Sequence, residues 1–144
     1  MSMSSGIAGA RRKAGIAVGL GAAALALVAA APPASAAAAP STSPAVSHKY
    51  YSNAGNIPKC PSGRACAIVS YGSGYYVFDF YKYGTYNLSN WRGQGGLTNA
   101  QTGGAAVRLY NRGGAQIDCV PAAPITAEVD WTPAWKIRLT RSGC

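Results

Sequence analysis

Two cysteines six positions apart, in Cys60-Pro-Ser-Gly-Arg-Ala-Cys66, constrain the fold of this chain more than any other feature. The segment between them contains Pro61 and Gly63, which are turn formers, so it has the composition of a small loop. Residues 67–71 follow at once and are rich in β-branched and aromatic side chains. A disulfide across the loop would hold the start of this strand and so fix the first strand of a small domain.

The beginning of the chain has the three-part pattern of a secretory signal. Arg11-Arg12-Lys13 is a basic segment, residues 14–31 are an unbroken run of small and apolar residues, and Ala34-Ser35-Ala36 places small residues where a signal peptidase reads them. We therefore predict a signal peptide over residues 1–36 and an extracellular protein. The alternative is a retained membrane anchor, for which the run is rich in Ala and Gly and only marginally long. The arginine pair also invites a twin-arginine export route, which the following residues do not support.

Cleavage after Ala36 would leave 108 residues, enough for one domain. The remaining chain contains ten Lys and Arg residues and four Asp and Glu residues, which give a net charge of about +6. Residues 37–47 contain only small and polar residues, Pro and one Val, which predicts a flexible linker. The folded domain is predicted over residues 48–144, and we expect a monomer.

All four cysteines lie after the predicted signal, and an even number in a small exported protein indicates a disulfide framework. Four cysteines allow three pairings, among which we favour Cys60–Cys66 with Cys119–Cys144 because the first two are close in sequence. Zinc binding is the rival use, but the spacings include no CxxC pair and no nearby histidine.

The mature sequence predicts short strands separated by Gly and Pro, with no sustained helical period. Tyr76, Phe78 and Phe80 alternate on one face, and Ile137 and Leu139 do so near the end of the chain. Such a pattern is typical of an antiparallel sandwich or barrel. We predict strands at 65–71, 75–80, 105–110, 115–120, 125–130 and 135–140, a compact corner at 83–91, a loop at 92–96 and a weak strand at 97–102.

A faint internal repeat accompanies this pattern. Residues 67–71 and 106–110 are similar and lie thirty-nine positions apart, and Trp91 and Trp131 lie forty apart. Two four-stranded Greek keys of about forty residues each would have this period.

The segment Cys60-Pro-Ser-Gly-Arg-Ala-Cys66, together with Tyr86-Asn-Leu-Ser-Asn-Trp91, resembles secreted βγ-crystallin-like proteins of actinomycetes. These include the Streptomyces metalloproteinase inhibitor family and killer-toxin-like proteins. The resemblance implies a two-Greek-key β-sandwich, export and a Cys60–Cys66 disulfide. Calcium-binding members of that superfamily use paired Asp or Asn followed by Ser or Thr. The nearest segment here, Asn99-Ala-Gln-Thr102, lacks the paired acid, so calcium binding does not carry over and no cofactor is expected.

The sequence offers few groups for catalysis. His48 is the only histidine and lies at the edge of the predicted linker, where a solvated role is favoured over a catalytic one. Glu128 and Asp130 share a strand face, as a glycosidase pair could, but ordinary solvated acids explain them as well. We therefore predict that the protein is not an enzyme.

Binding is better supported, because fourteen aromatic residues include nine tyrosines, whose rings suit contact surfaces. Phe78, Phe80, Trp91 and Trp135 are assigned to the core. We expect partial exposure for Tyr75, Tyr81, Tyr83 and Tyr110. The candidate partner-binding residues are Arg64, Tyr75, Arg108, Tyr110, Lys136 and Arg138. The last four alternate with apolar residues along the predicted strands at 105–110 and 135–140, so their side chains are expected to point outward.

Two hypotheses follow for the function. The first, suggested by the resemblance, is a secreted peptidase inhibitor that docks a rigid disulfide-stapled scaffold, with Arg64 as a conceivable contact in a trypsin-like pocket. The second is a basic, tyrosine-rich extracellular or antimicrobial protein that binds anionic polymers of the cell envelope. Nucleic acid is not expected as a partner, since the chain has no recognition helix and no RNA-binding signature.

Overall fold

The structure, a computed structural model, describes residues 35–144, and Ala36–Cys144 form one compact unit. The predicted signal peptide lies outside the described residues except for its last two positions. Within this range the chain forms ten strands and one 3-10 helix, and no helix there is long and apolar enough to span a membrane. The 3-10 helix is Ala54–Asn56. The strands are β1 Ser41–Ser43, β2 Ser47–Tyr51, β3 Ala65–Tyr71, β4 Gly74–Phe80, β5 Gly84–Ser89, β6 Gln94–Asn99, β7 Ala106–Tyr110, β8 Gln116–Pro121, β9 Thr126–Asp130 and β10 Lys136–Thr140.

The strands form two five-stranded antiparallel sheets. Sheet 1 has the order β1-β5-β10-β7-β8, and sheet 2 has the order β2-β4-β3-β6-β9. The predicted all-β architecture is confirmed. Six predicted strands also occur within one residue of their predicted limits, because Gly, Pro or other turn residues lie near their ends.

The two halves of the chain repeat one path. Strands β3–β6 form the first half, in which β6 returns to pair with β3 while β5 crosses into the other sheet. Strands β7–β10 form the second half, in which β10 returns to pair with β7 and β9 crosses over. The repeat seen in the sequence corresponds to β3 and β7, the first strand of each half. Each sheet is therefore assembled from both halves of the chain.

The core lies between the inner faces of the two sheets. Phe78 and Phe80 of sheet 2 are fully buried, as are Val107 and Ile137 of sheet 1. Trp91 and Trp131, the pair forty residues apart, meet edge to face with ring centroids 4.9 Å apart. The predicted alternation in β4, β7 and β10 is thus the pattern that buries the core.

The structure departs from the predicted linker over residues 37–47. Residues 41–43 form β1, which pairs with β5, and Ser47 begins β2. Two side chains also donate hydrogen bonds to the backbone of this segment. Tyr71 Oη donates to the Ala37 carbonyl at 2.6 Å, and Trp91 Nε1 donates to the Ser41 carbonyl at 2.8 Å. Composition misses this docking because the segment contributes mainly its backbone. We call residues 37–43 the N-terminal arm.

Two further segments differ from the sequence prediction. The predicted corner at 83–91 contains β5, and β6 begins inside the predicted loop at 92–96. The second difference, a strand where glycines predict a loop, is explained by the packing of Gly95. A Cβ at this position would collide with the Ile68 carbonyl oxygen and with Trp131 Nε1. The glycine lets Trp131 donate its indole N–H to Ile68 at 2.8 Å, so close packing requires it within a strand.

Asn99, at the end of β6, links the two sheets. It is fully buried, and its Nδ2 donates to the Val120 carbonyl of β8 at 2.9 Å. Its Oδ1 accepts from Gln101 Nε2 at 2.8 Å. The Asn99 side chain is thus fully hydrogen-bonded, to the Gln101 side chain and to a backbone carbonyl.

Both predicted disulfides are confirmed. Cys60–Cys66 has a Cα–Cα distance of 5.7 Å and Cys119–Cys144 one of 5.8 Å, and the chain has no free cysteine. Disulfides are typical of proteins that work in an oxidising compartment. The second one ties the last residue of the chain to edge strand β8.

Candidate functional site

Four of the six candidate contact residues lie together on the outer face of sheet 1. In the β7–β10 register Arg108 lies directly opposite Arg138, and Tyr110 lies opposite Lys136. Strand alternation directs these side chains away from the core, because their neighbours along each strand are buried. The sequence predicts the outward direction of each residue, and the pairing of β7 with β10 brings them together.

Arg108 is held in place by neutral partners. Its Nη1 donates to Gln116 Oε1 at 3.0 Å, and its Nη2 donates to the carbonyl oxygen of Gly143. Gly143 precedes Cys144, which is bonded to Cys119, so this disulfide helps to position the Arg108 guanidinium. Arg138, across the ladder, is exposed to solvent.

Two arginine–aromatic stacks flank this pair at opposite ends of β10. Before the strand, the Arg112 guanidinium lies 5.0 Å from the centre of the Trp135 ring. After it, the Arg141 guanidinium lies 5.2 Å from the centre of the Tyr83 ring. We define the basic face by its five cations and the three associated rings, namely Arg108, Arg112, Lys136, Arg138, Arg141, Tyr83, Tyr110 and Trp135.

Sequence reasoning missed both stacks. The assignment of Trp135 to the core is wrong, since its side chain is 45% exposed and the strand begins one residue later. Pro133, two positions before Trp135, is a usable signal, because proline is found at the ends and edges of strands and so indicates that the strand begins after it. The meeting of Arg141 with Tyr83 depends on β5 pairing with β10, which local pattern does not reveal.

The charges of the described chain are distributed unevenly. Within residues 35–144 the only ion pair is Arg64–Asp79, so none of the five cations of the basic face is neutralised by a carboxylate. Three of the four acids, Asp79, Glu128 and Asp130, lie in strands of sheet 2. Asp118, on edge strand β8, is the single acid of sheet 1.

The other two candidate residues lie elsewhere. Arg64 leads into β3 and Tyr75 lies in β4, both part of sheet 2. The Arg64 guanidinium bonds Asp79 at 2.7 Å and lies 5.3 Å from the centre of the Tyr81 ring, so it is occupied on two sides. A protease pocket would have to displace both partners to bind this side chain.

The loop closed by Cys60 and Cys66 is nevertheless well anchored. Gly63 has φ +82, a conformation that glycine adopts without strain, and its N–H donates to the Ala100 carbonyl at 2.7 Å. Pro61 and Ser62 at the tip are exposed. The loop is thus rigid at its base and open at its tip.

The groups that the sequence offers for catalysis lie in strands of sheet 2, apart from the basic face. Hydrogen bonds from the Thr132 backbone N–H, at 2.9 Å, and from the Thr132 hydroxyl lower the pKa of Asp130. A carboxyl held ionised in this way is unsuited to act as a general acid beside Glu128. His48 is exposed and lies against Phe78 at a centroid distance of 5.1 Å. No group of three or more His, Cys, Asp or Glu side chains in this range could hold a metal ion.

No protein-family model matches this chain, and neither the curated proteins nor the solved structures include a match.

Proposed function

We propose that this protein is secreted and binds anionic polymers of a cell envelope through the basic face of sheet 1. The observation that carries the proposal is the cross-strand pair Arg108–Arg138, with three further cations around it and no carboxylate partner for any of them within residues 35–144. Like charges directly opposite each other in a sheet are destabilising. A bound polyanion would relieve that repulsion, so the two arginines are better explained by a ligand than by stability.

The shape of the face favours an extended ligand. Strand β10 separates the two arginine–aromatic stacks by five residues, or about 17 Å at the usual rise per residue. A single phosphate could engage only one end of this length. A polymer with a charge on each repeat could contact Arg112, the central pair and Arg141 at once, so we expect affinity to rise with chain length.

The exposed rings fit the same class of ligand. Trp135 is 45% exposed and Tyr83 is 44% exposed, and each carries a guanidinium over its ring. Flat amphipathic rings suit the sugar or polyol parts of a wall polymer while the guanidinium groups meet its phosphates.

Export by the signal peptide over residues 1–36 belongs to the same proposal, and the two disulfides support an oxidising destination. We also propose that the two halves of the chain are Greek keys of the βγ-crystallin-like kind. The support is the strand order, in which the fourth strand of each half lies beside the first and the third crosses to the other sheet.

The test compares two double variants of the mature chain that lose the same charge. Arg108→Ala with Arg138→Ala removes the central pair of the basic face, whereas Lys49→Ala with Lys59→Ala removes two exposed cations on the side of sheet 2. Binding to long-chain inorganic polyphosphate and to triphosphate is measured by calorimetry over a series of salt concentrations. We expect the arginine variant to bind polyphosphate at least about tenfold more weakly and the lysine variant to bind nearly as the parent.

Parent binding should also weaken steeply with salt and should be stronger for polyphosphate than for triphosphate. Equal losses in both double variants would assign the affinity to overall charge and refute the basic face as the site. Binding that is insensitive to salt would refute the electrostatic mechanism.

A second candidate function is peptidase inhibition by the Cys60–Cys66 loop. The favouring observation is that Pro61 and Ser62 are exposed at the tip of a loop whose base is fixed by the disulfide and by the Gly63–Ala100 hydrogen bond. A loop ordered before binding loses less entropy on docking. A panel of metallo- and serine proteases tests this, since true inhibition saturates at one inhibitor per enzyme and depends little on salt. A panel without inhibition at micromolar concentration rejects this candidate.

A further inference from the structure

The outer face of sheet 2 carries an open groove of about 930 Å³, on a different sheet from the basic face. Three neighbouring strands form its floor: β3 contributes Ile68, β4 contributes Val77 and β6 contributes Gly96. One wall is the segment that includes the 3-10 helix, Pro58 and the stapled loop. The other wall is the connection between β8 and β9, around Pro124. The volume lies within the range of small-ligand sites.

A second depression of about 380 Å³ adjoins the first and shares Tyr75 and Gly95 with it. Glu128 of β9 also lines the second depression. Together the two form an elongated site with Tyr75 at the junction, which suits a linear ligand rather than a compact one.

The lining of this site is close to neutral. Lys59 is the only charged residue that lines the groove, and Glu128 is the only one that lines the second depression. The remaining polar lining is mostly hydroxyl and amide groups, and Thr98 and Thr126 bond each other through their hydroxyls at 2.6 Å. One cation and one carboxylate give the site no net formal charge, which favours a neutral ligand over a polyanion.

The floor also disfavours a peptide. Extended peptides bind sheets by adding a strand at an edge, where backbone N–H and C=O groups are free. Here the floor is the face of a sheet whose central strands β3, β4 and β6 are already paired with neighbours. The site offers side-chain hydroxyls, amides and one carboxylate, which suit a ligand that carries many hydroxyl groups of its own.

Gly96 leaves space at the floor of the groove because it has no side chain. A Cβ at this position would lie 2.7 Å from Thr126 Cγ2 and 3.6 Å from Ile68 Cδ1, so any side chain would fill the space between them. Tyr75 has no aromatic partner within residues 35–144, whereas its neighbour Tyr76 contacts four rings. The Tyr75 ring is thus available for a ligand.

We propose that this groove binds a neutral linear oligosaccharide, with the Tyr75 ring as a platform for one sugar and Glu128 as an acceptor for sugar hydroxyls. The site is independent of the basic face, and the protein can hold a charged polymer and a neutral glycan on different sheets at once.

The test is an NMR titration of the ¹⁵N-labelled mature chain with three probes: chitotetraose, cellotetraose and maltotetraose, each to about 10 mM, which is enough to detect a site whose Kd is in the millimolar range. We expect at least one probe to cause saturable shifts at the amides of Ile68, Gly95 and Gly96. Tyr75→Ala should weaken this binding about two- to tenfold, and Tyr75→Phe should weaken it less because the ring remains.

Tyr51→Ala is the matched control, since Tyr51 lies directly opposite Tyr75 on neighbouring strand β2 but does not line the groove. It should bind the probe as the parent does, and thermal melts should show both alanine variants folded. The Arg108 and Arg138 double variant should also bind the probe normally, which separates this site from the basic face.

Three results would overturn the proposal. The first is the absence of saturable shifts with all three tetrasaccharides. The second is an equal loss of binding in the Tyr51 and Tyr75 alanine variants. The third is a neutral tetrapeptide or polyphosphate that saturates the same amides more tightly than any of the sugars, which would assign the groove to a different class of ligand.

Discussion

Tyr86 shows how a single side chain is fixed by its surroundings. It is only 7% exposed, its ring meets Phe80 edge to face at 5.0 Å, and its hydroxyl donates to the Lys82 carbonyl at 2.8 Å. Burial raises the pKa of this phenol above its ordinary value of 10.0. The folded state thus prefers the neutral hydroxyl, which is also the form that donates the hydrogen bond.

The raised pKa of Tyr86 predicts a loss of stability at high pH. Above pH 10 the unfolded chain ionises this tyrosine more readily than the folded protein, so the free energy of unfolding falls as pH rises from 10 toward the folded pKa. Tyr86→Phe should cost about 1 kcal/mol at neutral pH through the lost hydrogen bond and should flatten the alkaline decline. Urea unfolding between pH 7 and about 11 measures both effects.

Tyr81→Phe is the control, because this tyrosine is 67% exposed and its hydroxyl bonds no group within the described chain. It should leave the free energy of unfolding at neutral pH unchanged. An alkaline slope that persists unchanged in Tyr86→Phe would show that another group titrates there.

At the scale of elements, the stapled loop and strand β3 act together. The Cys60–Cys66 disulfide closes a loop whose second cysteine already lies inside β3, and β3 pairs with both β4 and β6. The loop base is further held by the Gly63 N–H on the Ala100 carbonyl, just beyond β6. The staple therefore constrains the central strand of sheet 2 and one wall of its groove.

Replacing Cys60 and Cys66 together by serine should lower the free energy of unfolding by about 2 kcal/mol on the chain-entropy model. For a domain of this size that is a fall in Tm of about 10 °C. The Cys119→Ser, Cys144→Ser variant should lose more, about 3 to 4 kcal/mol, because its loop spans 25 positions rather than six. Calorimetry on both variants checks the order, and a smaller loss from the longer loop would contradict it.

At the scale of the whole molecule, the N-terminal arm completes both the sandwich and its core. The arm adds edge strand β1 to sheet 1, and its carbonyls at Ala37, Ala39 and Ser41 accept hydrogen bonds from three side chains. Trp91, which donates one of these bonds, is only 4% exposed and meets Trp131 edge to face. The arm thus covers one end of the aromatic core.

Deleting residues 1–43 should destabilise the domain relative to a chain that begins at Ala37. Three side-chain hydrogen bonds and the β1–β5 ladder are lost, so we expect a decrease of about 2 to 4 kcal/mol in the free energy of unfolding. Trp91 should become exposed, with a red-shifted emission and stronger quenching by acrylamide. The chain that begins at Ala37 is the control, and equal stability of the two chains would show that the arm contributes nothing.

Local features of this protein can be read from its sequence alone. It predicted six strands, the outward direction of Arg108 and Arg138, and the Cys60–Cys66 disulfide, since period-two alternation, turn residues and a six-position cysteine spacing all act over a few neighbouring residues. Cys119–Cys144 then followed as the remaining pair. Which strands are neighbours depends instead on contacts between distant parts of the chain. The crossing of β5 and β9, the docking of the arm and the meeting of Arg141 with Tyr83 depend on backbone pairing between distant segments. Main-chain hydrogen bonds are nearly the same for every residue type, so such pairing leaves little trace in local sequence.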